Sequence, residues 1–97
     1  MCILYADGIL TDLGTEYRGF RVTTRSGLLC QRWDMQDPHQ HPYTDSSYFP
    51  EDTIMDVASY CRNPSLDVES GPWCYTQDAN VKRESCSIIK LEGIQLL

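Results

Sequence analysis

The chain has 97 residues, enough for one domain and not two, and 41% of them are hydrophobic, near the globular average. The net charge of −6 argues against nucleic acid as a partner, because phosphate binding needs a basic face; cationic partners are easier to accommodate. The longest apolar runs are too short to cross a bilayer, so this segment is not expected to insert into a membrane.

In chain order, residues 1 to 14 are mildly apolar and carry no strong pattern. Glu16 to Thr24 alternates loosely and is rich in Tyr, Phe, Val and Thr, which predicts a strand bent at Gly19. Ser26-Gly27 signals a turn, and Leu28 to Trp33 reads as the second strand of a hairpin. Asp34 to Phe49 is a long polar stretch holding Pro38, Pro42, both histidines and two tyrosines. Asp52 to Ala58 predicts one helical turn with Ile54 and Val57 on one side. Next comes Tyr60 to Thr76, with Cys61 and Cys74 bracketing a loop that opens on Asn63-Pro64 and closes on Gly71-Pro72. That loop carries two carboxylates, Asp67 and Glu69. In an extended segment, Trp73 and Tyr75 point to the same face beside it, a plausible seat for a cation. Trp73–Thr76 and Glu84–Ile89 are the last strand candidates, separated by the turn-like Asp78-Ala79-Asn80. Glu92 to Leu97 reads as a tail.

Five cysteines stand at Cys2, Cys30, Cys61, Cys74 and Cys86. The last four sit in turn-rich, polar surroundings, the usage of a disulfide framework from an oxidising compartment. Reduced buried cysteines of an intracellular chain are the competing reading. The spacings match no zinc pattern. Cys2 is left over as a free thiol or as the partner of a cysteine elsewhere. No basic region precedes the short apolar patch at Cys2–Tyr5, and Asp7 cuts that patch off, so no secretory signal is visible. A disulfide domain without one is most simply a piece of a longer secreted protein.

The motifs now in view resemble the kringle family, densely and in order. They are Tyr17-Arg18-Gly19, Thr24, Ser26-Gly27, Cys30-Gln31 with Trp33, and Pro38-His39 with His41. Phe49-Pro50, Tyr60-Cys61-Arg62-Asn63-Pro64, Gly71-Pro72-Trp73-Cys74-Tyr75-Thr76 and Cys86 continue the series. The resemblance covers residues 9–91, leaving 1–8 as an N-terminal extension and 92–97 as a C-terminal tail. It implies a small disulfide-rich, kringle-like fold, mostly loops with short antiparallel β-strands. It also implies the pairing Cys30–Cys74 and Cys61–Cys86. Chain-entropy estimates give about 4 kcal/mol for the larger loop and about 3.5 kcal/mol for the smaller. A third, outer bridge of the family falls on Ile9 and Leu91, both apolar here. Its loss forgoes about 4.5 kcal/mol, and an Ile9–Leu91 contact would return about 2 to 4 kcal/mol by burial. Looser termini than in a three-bridge relative are expected.

Lysine-binding members of the family hold an ammonium on an acidic pair, methylenes in an aromatic trough and a carboxylate on a cation. The acidic pair, Asp-x-Asp after Asn-Pro, reads Ser65-Leu66-Asp67 here, so one carboxylate is lost; Glu69 is the substitute in reach of sequence. Trp73 and Tyr75 keep two trough positions. Arg83 and Ser85 stand at two aromatic ones, and Lys82 lies where a carboxylate-binding cation could sit. Arg83 is also placed to pair with Asp67 and compete with a ligand. The weak lysine-type site is therefore Asp67, Glu69, Trp73, Tyr75, Lys82 and Arg83, set against the simpler reading of solvated loop charges and structural packing. His39 and His41 share a face if extended, yet no third ligand is obvious beyond Asp37 and Asp45, and no metal centre or cofactor is expected. No nucleophile, zinc-protease or phosphate-loop motif is present, so no catalysis is expected. The resemblance implies a non-catalytic extracellular protein–protein interaction module within a larger modular protein, whose partner is met through exposed lysine side chains if the site survives. The alternative is a lysine-binding targeting module of a plasminogen-like serine protease precursor.

Overall fold

The computed structural model describes residues 17–66 and 71–88. Regular structure within them is sparse. A 3-10 turn spans Ser46–Tyr48, with the Asp45 carboxylate accepting from the Ser47 N–H at 3.3 Å. Helix α1 spans Ile54–Val57; the Thr53 hydroxyl accepts from the Asp56 N–H at 3.1 Å, and Ala58, at φ 50°, ends it. Val57 is buried and Ile54 packs beside it on the core, as the sequence predicts. Strands β1, Trp73–Tyr75, and β2, Arg83–Ser85, pair antiparallel with Trp73 opposite Ser85, Cys74 opposite Glu84 and Tyr75 opposite Arg83. β2 is shorter than the predicted Glu84–Ile89 and starts one residue earlier. Ser87 adopts φ 54°, which an extended strand does not allow, and pairing stops before it.

The predicted hairpin over Glu16–Thr24 and Leu28–Trp33 narrows to one bridged pair, Thr23 opposite Leu29. The turn itself forms, with Gly27 at φ 85° and its N–H donating to the Thr24 carbonyl at 2.9 Å. The pairing runs on to Cys30, whose N–H donates to the Val22 carbonyl at 2.9 Å, and past it the two segments separate because each finds another partner. Cys30 bridges to Thr76, and the Arg21 carbonyl accepts from the Cys61 N–H at 2.9 Å. Long-range pairing overrides the local alternation.

Two disulfides, Cys30–Cys74 and Cys61–Cys86, link these segments in the pairing the resemblance implies. They lie against each other, with the Cys30 and Cys61 sulfurs 3.8 Å apart. Among the described residues, four of the eleven in the core are these half-cystines, so the bridges are themselves a main part of the core. Trp33 packs beside them. Its ring meets Phe49 at 5.1 Å, Trp73 at 5.3 Å, Tyr75 at 5.7 Å and His41 at 5.9 Å, and its indole N–H donates to the Tyr60 carbonyl at 2.7 Å.

Arg62 is the core's one buried cation among the described residues. Its guanidinium forks onto the Glu51 carboxylate and donates to the Gly19 and Cys61 carbonyls at 2.9 and 2.7 Å. The rings of Tyr17 and Tyr60 lie over it at 5.2 and 5.3 Å. Gly19 is required there, since a Cβ at this position would fall inside the Tyr17 phenol. Cys2, Ile9 and Leu91, and with them the expectation of looser termini, lie outside the described residues.

Candidate functional site

Strand β1 and the Cys61–Leu66 segment build the trough. Trp73 pairs with Ser85 on one side and with Arg62 on the other, through reciprocal backbone bonds of 3.0 and 2.7 Å. Alternation along β1 puts the Trp73 and Tyr75 rings on one face, 5.0 Å apart and edge to face. Both are nearly covered, at 1% and 5% exposure. The Trp73 indole N–H donates to the Asn63 side-chain oxygen at 3.1 Å and to the Ser65 hydroxyl at 3.0 Å. Ser65, standing where the resemblance expects a carboxylate, is thus a neutral acceptor for the indole.

Arg83, directly opposite Tyr75, reaches diagonally across the ladder. Its guanidinium carbon sits 3.9 Å from the centre of the Trp73 ring. The Tyr75 hydroxyl is within hydrogen-bonding reach of the same guanidinium, yet burial, with the Tyr43 hydroxyl nearby, pushes the Tyr75 pKa above 10.0. The aromatic face is therefore covered by the domain's own cation. Lys82 is exposed, and its carbonyl accepts from the Thr76 N–H at 3.3 Å. Being one residue before Arg83, it falls on the other face of the ladder by strand alternation. Asp67 and Glu69 lie outside the described residues. Of the six candidate residues the structure brings together three, Trp73, Tyr75 and Arg83.

Two aromatic side chains that sequence reasoning passed over extend the surface. Tyr43 stands edge to face on Trp73 at 6.1 Å, and the half-exposed Tyr48 packs on Tyr43 at 5.2 Å. They sit 25 or more residues before β1 in a stretch read only as polar, and nothing local marks them as neighbours of Trp73.

Both histidines hydrogen-bond the surrounding backbone. His41 accepts from the Tyr43 N–H at Nδ1, 3.1 Å, and donates from Nε2 to the Met35 carbonyl, 2.9 Å. Burial lowers its pKa below 6.5, and its ring stacks on Tyr75 at 5.1 Å. His39 directs Nε2 at the Asp78 carbonyl, 3.0 Å away. Both ring nitrogens of His41 are thus engaged with backbone groups, and His39 uses Nε2 in the same way. Among the described residues the one cluster close enough to hold an ion is the four cysteine sulfurs, and these are spent in the two bridges.

Comparison with known proteins adds two findings. A family model described as the kringle domain matches residues 9–91. An apolipoprotein(a)-like protein of Homo sapiens is 46% identical over 77 residues, which cover 79% of this chain and 54% of that protein. The chain thus spans about half the length of this curated relative.

Proposed function

The chain belongs to the kringle family, whose domains are protein-interaction modules of larger proteins, and on that premise we propose that it is a non-catalytic, extracellular docking module whose Trp73–Tyr75 trough does not take lysine. The observation that carries this is Arg83 lying on the Trp73 ring. A lysine stem needs that face for apolar and cation–π contact, and must first displace a cation already satisfied there. The neutral Ser65 removes one of the charges that would favour the exchange. Docking then relies on side chains of the surface outside the trough, and the half-exposed Tyr48 is of the type that anchors such contacts.

The lysine-recognising targeting module of a plasminogen-like protease precursor requires the trough to open. Titration with ε-aminocaproate, followed at the Trp73 indole N–H by NMR, separates the two. An unmoved resonance at millimolar ligand is the expected outcome. A saturable shift would replace this proposal with the targeting module. Thiol counting on the native protein tests the oxidised, extracellular setting: one free thiol is expected, and five would overturn it.

A further inference from the structure

A second concavity shares none of its lining with the trough. Its volume is about 390 Å³, and it is lined by Gln31, Arg32, Met35, Asp37, Pro38 and Gln77. Its wall is held rigidly. The buried Gln31 amide donates to the Met35 carbonyl at 3.0 Å and the His39 carbonyl at 2.9 Å, and its oxygen accepts from the His39 N–H at 3.0 Å. His41 adds a second bond to the Met35 carbonyl at 2.9 Å. Opposite, Gln77 is tied to the Leu29 and Cys30 carbonyls at 2.8 and 3.1 Å. A preformed wall spares an occupant the cost of ordering it.

The charges of the lining select the occupant. Arg32 is spent on Asp34 through two bonds of 2.9 Å, so that pair is neutral. Asp37 is exposed and makes no ion pair among the described residues. The one uncompensated charge at the concavity is therefore negative. Beside it, Met35 is 48% exposed and Pro38 is exposed, an apolar strip next to a carboxylate. We propose that this concavity is a docking site for a basic side chain of a protein partner, with its alkyl stem along Met35 and Pro38 and its charged head at the Asp37 carboxylate. The inference rests on the protein-docking reading above and names where and by what chemistry a partner is held. The chain's net charge of −6 favours the same sign of partner at longer range.

The test titrates N-acetyl-lysine amide into the full, oxidised chain and follows the Met35 methyl resonance. N-acetyl-norleucine amide serves as the probe that keeps the stem and lacks the charge. A saturable Met35 shift with the lysine probe is expected, weaker by about two- to fivefold for the norleucine probe and for Asp37→Asn, the range of one exposed ion pair. Arg83→Ala should leave it unchanged. No saturable shift at tens of millimolar, equal binding of the two probes, or an Asp37→Asn protein that binds as before would each overturn the proposal. A shift confined to the Trp73 indole would do so as well. Because the Met35 and Trp73 signals are separate, failure of this site and failure of the closed-trough reading are distinguishable.

Discussion

Glu51→Gln should destabilise this domain more than any other surface-proximal carboxylate change. The Glu51 and Arg62 side chains are 9% and 2% exposed, so the substitution strands a buried guanidinium rather than loosening a solvated pair. Breaking a buried pair from one side costs about 3–5 kcal/mol. Arg62 retains the Gly19 and Cys61 carbonyls and the Tyr17 and Tyr60 rings, and the amide oxygen that replaces the carboxylate would still accept one bond. The lower end, about 3 kcal/mol, is therefore expected. For a domain of this size that corresponds to a fall in melting temperature of about 12–24 °C. Calorimetry at pH 7 with both bridges intact measures it, against Asp52→Asn as an exposed neighbour expected within about 0.5 kcal/mol. A Glu51→Gln protein that melts with the Asp52→Asn control would refute the assignment of Arg62–Glu51 as the buried electrostatic tie of the fold.

Other outcomes rest on the same geometry. Because burial holds the His41 pKa below 6.5, the unfolded chain binds the proton more readily. His41 therefore contributes stability that is present above pH 6.5 and is lost as pH falls toward its depressed folded value. Melting temperature should drop between pH 7 and 5, and an NMR titration of the His41 ring should report a pKa below 6.5; a raised value would contradict the buried, neutral ring. Gly19→Ala drives a methyl into the Tyr17 ring and should cost about 1–3 kcal/mol in denaturant unfolding. Thr53→Ala removes the cap of α1 and should cost about 0.5–1 kcal/mol, toward the low end because the helix is one turn and solvent-exposed at its start.

The parts of this molecule that sequence could reach were those with local chemistry. Gly27 announced its turn, Ile54 and Val57 their helical spacing, and Trp73 and Tyr75 their common face. The bridge pairing came through resemblance, since spacing alone left it open. The features that stayed hidden depend on contacts far apart in the chain. Arg62 meets Glu51 across 11 residues and the Gly19 carbonyl across 43. Gln31 clamps the 35–39 loop with its side chain while its own N–H donates to the distant Tyr75 carbonyl at 2.7 Å. The expected hairpin on either side of Gly27 stayed short for the same reason. For Arg83, sequence named the residue and its competition with a ligand, with Asp67 as the expected partner; the observed contact is the Trp73 ring, and Asp67 lies outside the described residues.

The central claim is that the trough is closed by the domain's own arginine. The side-chain proton shifts of Arg83 measure this most directly, because a guanidinium 3.9 Å from the Trp73 ring centre holds its neighbouring methylenes in the ring current. The Arg83 Hδ resonances should be displaced upfield of those of the exposed Arg25, and should be unmoved by ε-aminocaproate. Arg83 signals coincident with Arg25, or displaced downfield on adding the lysine analogue, would contradict a closed trough.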